Sequence, residues 1–286
     1  LRRAGITAPI LVLSEQPAEL SELLVGYELT ATVSTTRGVA ALASAATAAS
    51  KVARVHVKVD TGMHRVGVAP RETLSLIRFM QSFDSVLLEG VYTHFAVADS
   101  PEHPANAQQL ALFNDVVAEL ATHGIEPALV HAANSAAALA NPDARFSMVR
   151  LGIAMYGLLP GDGVKELCRG LIPALALKSR VSAIRWIEAG EAVSYGLRRP
   201  VEASTLIATV PLGYADGVPR ALGETTVGVL LNGVPRRFAG TITMDQLMID
   251  CGTDSSVMVG DEVVLIGRQG EHVVTADEWA SATGTI

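Results

Sequence analysis

Residues 57–67 read VKVDTGMHRVG, and they begin as a strand and end as a turn. Valines alternate with His56 and Lys58, which is the period of two that a β-strand has. Asp-Thr-Gly at 60–62 then ends the strand as a turn. In a parallel α/β fold, the residues that follow a strand lie at the edge where binding sites are built. The stretch is thus either an ordinary buried strand with a solvated Arg65, or one side of a site.

The same strand-then-helix pattern runs from residue 6 to about 158. Short apolar runs predict strands at 9–13, 29–33, 53–59, 87–93, 128–132 and 148–151. Longer amphipathic runs predict helices between them, at 17–25, 36–50, 70–83 and 103–123. This alternation predicts a parallel sheet, either doubly wound or part of an eight-unit barrel. No G-x-G-x-x-G motif follows the first strand, which argues against a dinucleotide site.

After about residue 160 the pattern changes to β-strands separated by turns. Apolar runs predict strands at 206–212, 227–231, 234–238, 247–249 and 262–266. Asn232-Gly233 between two of these runs predicts a hairpin, because both turn positions tolerate a positive φ. We therefore expect two domains, residues 1–159 and residues 160–286, of which the second is mostly β.

Composition excludes several classes of protein. The net charge of -7 and the pI near 5.5 argue against nucleic-acid binding, which favours a basic surface. No apolar run approaches the roughly 18 residues that a membrane-spanning helix needs. Cys168 and Cys251 are far apart and lack the spacing of metal ligands. Two isolated cysteines indicate a reducing compartment, so we expect a cytoplasmic protein with no metal.

Polar residues follow four of the predicted strands. They are Lys58 with Arg65, then His94, then Asn134 and Ser135, and finally Arg150 with Gly152 and Ile153. Small residues at a helix start expose backbone N–H groups, which suit a phosphate. Arginines donate hydrogen bonds in a fixed fork, which suits a planar or anionic ligand. Singly, each has a structural explanation: a helix cap, a core histidine or an ion pair. Together they predict a site for a cofactor that has a phosphate and an aromatic ring.

The motifs around these residues resemble the alanine racemase family of pyridoxal-phosphate enzymes. In the first half they are VKVDTGMHRVG (57–67), GVYTHFA (90–96), HAANSAA (131–137) and VRLGIAMYG (149–157). In the second half they are LKSRV (177–181), AGEAVSYG (189–196), PLGYADGVPR (211–220) and TMDQLMID (243–250). The resemblance covers nearly the whole chain. It implies a TIM-type (β/α)8 barrel that here lacks its first two units, followed by the β domain.

The resemblance also implies a role for each residue in binding pyridoxal 5′-phosphate. Arg150 would face the pyridine nitrogen, and His94 would orient Arg150. Asn134, Ser135, Gly152 and Ile153 would hold the phosphate. Arg65 would contact the cofactor hydroxyl and the substrate, and Lys58 would support Arg65 after conversion to a carbamate, as often occurs in this family.

The second half would contribute to the active site of a partner subunit. The resemblance implies a head-to-tail homodimer in which Tyr214 is a catalytic base. Met244 would offer its backbone N–H to the carboxylate of alanine, with Asp245 beside it. Within one chain, we expect Tyr214 and Met244 to lie far from Arg150.

One part of the family pattern is missing. The Schiff-base lysine of the family lies in a K-A-x-A-Y-G-H-G motif, and none of the four lysines, Lys51, Lys58, Lys165 and Lys178, has that context. A tyrosine that the family has near its C-terminal end is also missing. The chain opens on Leu1 without a methionine, so we expect a fragment, truncated at both ends, that does not racemise alanine.

Three functions remain open at this point. The first is a fragment of an alanine racemase, which supplies D-alanine for peptidoglycan. The second is a non-catalytic protein that binds pyridoxal phosphate. The third is a relative that acts on other amino acids, either a broad-spectrum racemase or a decarboxylase, although the GYADG and MDQ strings favour alanine racemase over the decarboxylases.

Overall fold

The first half of the chain is built on four parallel strands. The computed structural model describes residues 1–285 and divides the chain into two units. The first unit comprises Leu1–Met155 and Leu159–Leu171, and the second comprises Tyr156–Leu158 and the chain from Ile172 onward. The strands of the first unit pair in chain order: β1 (Ala31–Val33), β2 (Ala53–Lys58), β3 (Val86–Tyr92) and β4 (Leu129–His131).

Helices connect these strands. They are α1 (Ser21–Gly26), α2 (Thr36–Ala48), α3 (Thr73–Met80), α4 (Pro104–Thr122) and α5 (Ser135–Ala140). Their ends follow the local sequence: the Thr35 hydroxyl accepts from Gly38 N at the start of α2, and Pro104 occupies the first turn of α4. Gly124, at φ 69°, follows the end of α4.

Two of the six predicted strands are not strands in the structure. The run at 9–13 makes only an isolated bridge, Leu11 to Thr30, and Pro9 has no N–H to extend it. The run at 148–151 is irregular: Ser147 N bonds to Val130 O and Arg150 N to Ala133 O, but these main-chain bonds do not form a regular ladder. Apolar content alone predicted these strands, but neither run has a regular hydrogen-bonded partner. The parallel sheet therefore has four strands.

The two faces of this sheet differ in chemistry. Val55 and Val57 are fully buried in the apolar core that packs under the helices. His56 and Lys58 alternate with them and therefore project to the opposite face, where they are also buried. The alternation in the sequence thus describes a sheet with one apolar face and one polar, water-poor face. The polar face carries the candidate site.

The second unit is an antiparallel β structure, which confirms the prediction of a mostly-β C-terminal domain. Its eight strands are β5 (Leu177–Arg180), β6 (Ala183–Ile187), β7 (Thr205–Val210), β8 (Val229–Leu231), β9 (Val234–Phe238), β10 (Leu247–Asp250), β11 (Glu262–Gln269) and β12 (His272–Val274). They pair in the order β12-β11-β8-β9-β10-β7-β6, with β5 on β11. Helix α6 (Ala276–Thr283) follows and buries Trp279 in the core.

The predicted hairpin joins β8 to β9. Asn232 has φ 53° and Gly233 has φ 76°, so both turn residues adopt the left-handed conformation that the Asn-Gly pair favours. No helix within residues 1–285 combines the length and the apolar character needed to cross a bilayer.

Candidate active site

The residues singled out in the first unit meet at the carboxyl end of its sheet. Lys58, Tyr92 and His131 lie side by side on β2, β3 and β4, because the strands pair in that register. Each is followed by a loop at the same edge of the sheet. His94 follows β3, and Ser135 follows β4 at the first position of α5.

Arg150 is the centre of this cluster. Its NH1 group lies 2.6 Å from His131 Nδ1, and its NH2 group lies 3.2 Å from His94 Nδ1. NH2 also donates to Thr93 O at 2.6 Å and to Ala132 O at 2.8 Å. Because a guanidinium has only donors, His131 must accept through Nδ1 and carry its proton on Nε2. NH2 has two hydrogens for three partners, so His94 Nδ1, the most distant of them, shares a hydrogen with a carbonyl. His94 and Arg150 therefore lie at the same end of the sheet and in contact.

Burial sets the charge of each member of this cluster. Burial lowers the pKa of Arg150 to about 10, while Tyr92, whose ring lies 5.0 Å under the guanidinium, raises it. Arg150 thus stays charged at neutral pH. Burial, together with the charges of Arg150, Lys58 and Arg65, lowers the pKa of His94 to about 4. The same burial and Arg150 hold the pKa of His131 far below its usual value, so both imidazoles are neutral.

Arg150 keeps hydrogen atoms for a further partner. It has five N–H donors, and its contacts use NH2 and one hydrogen of NH1. Among the residues that the structure describes, no hydrogen bond uses its Nε. One NH1 hydrogen and the Nε hydrogen remain unused, and because they lie on different sides of the guanidinium, one of them could donate to a ligand atom that accepts, such as an unprotonated ring nitrogen.

Lys58 is a buried cation beside two other cations. It is only 4% exposed, and burial, then Arg65 and Arg150, lower its pKa. The charge of Asp60 raises the pKa of Lys58 again, but the Asp60 carboxylate accepts from Gly62 N and His64 N. Arg65 itself is exposed. This concentration of positive charge favours an anionic group at the site.

Small residues form an open cradle next to the cluster. Ser135 Oγ accepts from Gly152 N at 2.9 Å and from Ala154 N at 3.4 Å, which ties the start of α5 to the turn at Ile153–Tyr156. A Cβ built on Gly152 would meet only Ser135 Oγ, at 3.8 Å, so the space above Gly152 is open. Asn134 caps α5, because its Oδ1 accepts from Ala137 N.

In the second unit, the singled-out residues lie on two loops that are held together. Tyr214 N donates to Thr243 O, and Ala215 N donates to Met244 O, each at 3.0 Å. Tyr214 is 44% exposed and Met244 is 53% exposed, and Asp245 beside it is exposed as well. Within residues 1–285, Met244 N has no hydrogen-bond acceptor. Its N–H is therefore available to a carboxylate.

Four polar residues of the first unit were missed by the sequence reasoning. His56 and His131 are buried and joined to each other, Tyr92 stacks on the His131 ring at 4.6 Å, and Gln109 spans two loops. Gln109 donates to His94 O and accepts from Ala96 N, so it fixes the loop that carries His94. The alternation of β2 gave a signal for His56, since it shares a face with Lys58.

The residues present fit pyridoxal 5′-phosphate. Arg150 has donors left for a ring nitrogen, and Lys58 and Arg65 supply uncompensated positive charge. The open space over Gly152, next to Ser135, has the room and the small residues that a phosphate needs.

Comparisons with known proteins identify relatives over the whole chain. The family model of the alanine racemase N-terminal domain matches residues 1–160, and that of the alanine racemase C-terminal domain matches residues 174–286. The alanine racemase of Symbiobacterium thermophilum is 44% identical over 286 residues, which cover 100% of this chain and 75% of that protein.

Solved structures agree in fold. An alanine racemase of Clostridium difficile 630 has a TM-score of 0.92 and 39% identity, covering 100% of this chain and 74% of that one. A histidine racemase from Leuconostoc mesenteroides subsp. sake NBRC 102480 has a TM-score of 0.90 and 28% identity, covering 99% and 75% respectively.

Proposed function

This chain belongs to the alanine racemase family, an isomerase family, and we propose that it serves the interconversion of L-alanine and D-alanine with pyridoxal 5′-phosphate. The product would supply D-alanine for peptidoglycan in the cytoplasm. The observation that carries this proposal is the half-buried Arg150, which keeps an unused N–H group for an acceptor and lies next to the open cradle at Gly152.

Arg150 would donate to the cofactor's pyridine nitrogen and hold that nitrogen unprotonated. When bound, the cofactor supplies an electron-poor ring that makes the Cα–H bond of an attached amino acid acidic. With a pKa of about 10, Arg150 remains a cation at neutral pH and has no lone pair with which to accept a proton. A ring whose nitrogen is held unprotonated withdraws electron density less strongly, which limits side reactions.

Ser135, Gly152 and Ile153 would hold the phosphate, with Asn134 fixing the start of α5. Arg65 would contact the cofactor hydroxyl and the substrate. The one acid that acts on Lys58 is Asp60, whose carboxylate already accepts from two backbone N–H groups. Conversion of Lys58 to a carbamate would reverse its charge and give Arg65 a partner. That modification is part of the proposal.

Tyr214 and Met244 would act on the substrate from a partner subunit. Racemisation requires a proton to leave one face of Cα and another to arrive at the opposite face. Tyr214 would serve one face, and Met244 N would hold the carboxylate, with Asp245 beside it. Their exposure and the unused N–H of Met244 support this arrangement, which requires a head-to-tail homodimer.

We further propose that the four-strand sheet is part of a larger barrel. Residues 1–159 would form the part of a (β/α)8 barrel that follows its first two units, and residues 160–286 would form the β domain. The other face of Cα would then depend on the family's lysine, whose motif is absent from residues 1–286. This polypeptide alone would therefore bind the cofactor but not racemise alanine.

The experiment has two arms. In the first, residues 1–286 are titrated with pyridoxal 5′-phosphate, and we expect binding that Arg150→Ala and Ser135→Ala weaken and that Arg71→Ala, an exposed arginine, does not. In the second, the chain is joined to a segment that carries the family's K-A-x-A-Y-G-H-G motif and is assayed for D-alanine. Turnover should appear and fall by about 10²–10⁴-fold in Tyr214→Phe.

The similarity to a histidine racemase suggests a second class of substrate, amino acids other than alanine. The joined chain is therefore also assayed on histidine and other amino acids. Turnover of these without turnover of alanine would favour the broad-spectrum alternative. Cofactor binding without turnover of any amino acid would favour a non-catalytic binding protein, and turnover by residues 1–286 alone would assign the lysine role to one of the four lysines, Lys58 first.

A further inference from the structure

A line of polar contacts connects Arg150 to a carboxylate on the far side of the buried histidines. Arg150 NH1 lies 2.6 Å from His131 Nδ1, and His131 Nε2 lies 2.8 Å from His56 Nδ1. His56 Nε2 then lies 3.4 Å from Glu89 Oε2. His131 and His56 are 0% and 1% exposed, so neither nitrogen of either ring exchanges partners with bulk water.

The direction of these contacts is fixed at the arginine end. Arg150 only donates, so His131 must accept at Nδ1 and carry its proton on Nε2. That proton points at His56 Nδ1, which must therefore accept. His56 is left with its proton on Nε2, pointing at Glu89. A second proton on either imidazole would set two donors against each other.

The acid end imposes the same direction. An ionised carboxylate only accepts, so Glu89 requires the His56 proton to be on Nε2. Glu89 is held in place by two other donors, Thr30 Oγ1 at 3.1 Å and Arg54 NH1 at 3.2 Å. Its side chain is 22% exposed, so it lies between the solvent and the buried ring.

The local backbone is shaped for this contact. Val55 pairs with Leu88 and His56 pairs with Gly90, so Glu89 is the extra residue of a β-bulge in β3. A bulge redirects a side chain relative to the regular alternation of a strand. A Cβ on Gly90 would lie 2.7 Å from His56 Cε1 and Nδ1, so only glycine leaves room for the ring to cross β3 towards His131.

No carboxylate contacts Arg150 within residues 1–285. The contacts of Arg150 with His131, and of His131 with His56, end at the Glu89 carboxylate. We propose that Glu89 is a positioning residue for Arg150, acting through the fixed tautomers of His56 and His131. The role of Arg150 towards pyridoxal phosphate rests on the proposed function, whereas the line of contacts does not.

The consequence concerns the free donors of Arg150. A His131 ring locked as an acceptor holds one NH1 hydrogen and so fixes the plane of the guanidinium, whose Nε–H has no partner within residues 1–285. If the His131 proton moved to Nδ1, it would oppose the guanidinium and turn it away. Glu89 would thus set the orientation of the group that meets the ligand from a position that does not touch the ligand.

The test compares Glu89→Gln with Arg54→Met in the ligand-free chain. Glutamine keeps the shape of Glu89 but can donate as well as accept, so the His56 proton is no longer confined to Nε2. Chains labelled with ¹⁵N-histidine are examined by long-range ¹H–¹⁵N spectra, which distinguish the two tautomers. Single His56→Asn and His131→Asn variants assign the signals among the seven histidines.

We expect pure Nε2–H forms of His56 and His131 in the unchanged chain and in Arg54→Met, and mixed forms in Glu89→Gln. Arg54→Met removes the ion pair of Glu89 but keeps its contact with His56, so it controls for a merely structural role. Unchanged tautomers in Glu89→Gln, equal effects of the two variants, or an Nδ1–H form of His131 in the unchanged chain would each overturn the proposal.

A second measurement follows the effect to the ligand. The affinity for pyridoxal 5′-phosphate should fall about tenfold in Glu89→Gln, the size of effect typical of a partner behind a ligand-orienting histidine, and by less than about twofold in Arg54→Met. An unchanged affinity in Glu89→Gln would contradict the proposal. If the unchanged chain fails to bind the cofactor, the proposed function fails, while the tautomer spectra still decide the role of Glu89.

Discussion

In the first unit, Arg150 makes side-chain contacts with two imidazoles and two carbonyls, all of them largely shielded from water. In the second unit, Tyr214 and Met244 are about half exposed, and main-chain hydrogen bonds position the loops that carry them. The position of Arg150 therefore depends on charge and on which imidazole nitrogens carry protons. The position of Tyr214 and Met244 depends on the close approach of two backbone segments.

The difference shows two ways of holding a candidate site residue in place. A buried polar cluster is rigid because every donor and acceptor needs its partner, and the loss of one partner exposes the others to a desolvation penalty. An exposed side chain on a fixed loop can be changed at little cost in stability, because water replaces its contacts. We therefore expect substitutions of the candidate site residues to change stability strongly in the first unit and little in the second.

The largest effect should come from Arg150→Met. The variant keeps much of the side-chain volume but leaves His131, His94 and two carbonyls without a donor, so the free energy of unfolding should fall by about 3 kcal/mol. Urea unfolding measures the total, and hydrogen exchange of β4 peptides locates the loss. Tyr214→Phe, the matched change at the exposed site, should alter the free energy by less than about 0.5 kcal/mol. Equal losses in the two variants would contradict the contrast between the units.

The next effect concerns the backbone approach in the second unit. A Cβ on Gly213 would lie 2.2 Å from Met244 O and 2.3 Å from Thr243 O, so Gly213→Ala must push the two loops apart. We expect a loss of about 2 kcal/mol in urea unfolding, as for other overpacked sites. The control is Gly26→Ala, where a Cβ meets nothing within 4 Å. A Gly213→Ala chain as stable as the control would show that the two loops are not held by close packing.

The smallest effect is a dependence of the first unit on pH. Burial, aided by Arg150, Lys58 and Arg65, lowers the pKa of folded His94 from 6.5 to about 4. As the pH falls, the unfolded chain takes up this proton first, so the stabilisation is complete above about pH 6.5 and is lost progressively down to about pH 4. The partial exposure of His94 limits the expected loss to about 1–2 kcal/mol.

Urea unfolding at a series of pH values measures this loss. The slope between pH 6.5 and 4 should become shallower in His94→Asn, which removes the titrating group. It should be unchanged in His123→Gln, which removes an exposed imidazole at the end of α4. A stability that rises as the pH falls through this range would contradict the neutral, accepting role of His94.

Features encoded within a few residues were predictable from the sequence. The alternation around Lys58 predicted β2, and Asn232-Gly233 predicted the hairpin between β8 and β9. The short apolar runs separated by turns after residue 160 predicted a mostly-β second half. The motif strings gave the family. Each of these features depends on local backbone preference or on a short sequence pattern. The few residues involved are enough to specify it.

Tertiary structure decided the features that depend on pairing between distant segments. The runs at 9–13 and 148–151 are apolar enough for strands but lack a regular partner, and the sequence does not state which segments will pair. Asn134 had two open roles, and the structure shows its side chain capping α5.

The contact of His56 with His131 joins residues 75 positions apart, and it exists because β2, β3 and β4 align in one register with a bulge at Glu89. Local sequence determined that His56 lies on the same face as Lys58. Only the pairing of three strands determined what that ring touches, because hydrogen-bond partners in a sheet are set by register, and register belongs to pairs of strands and not to either strand alone.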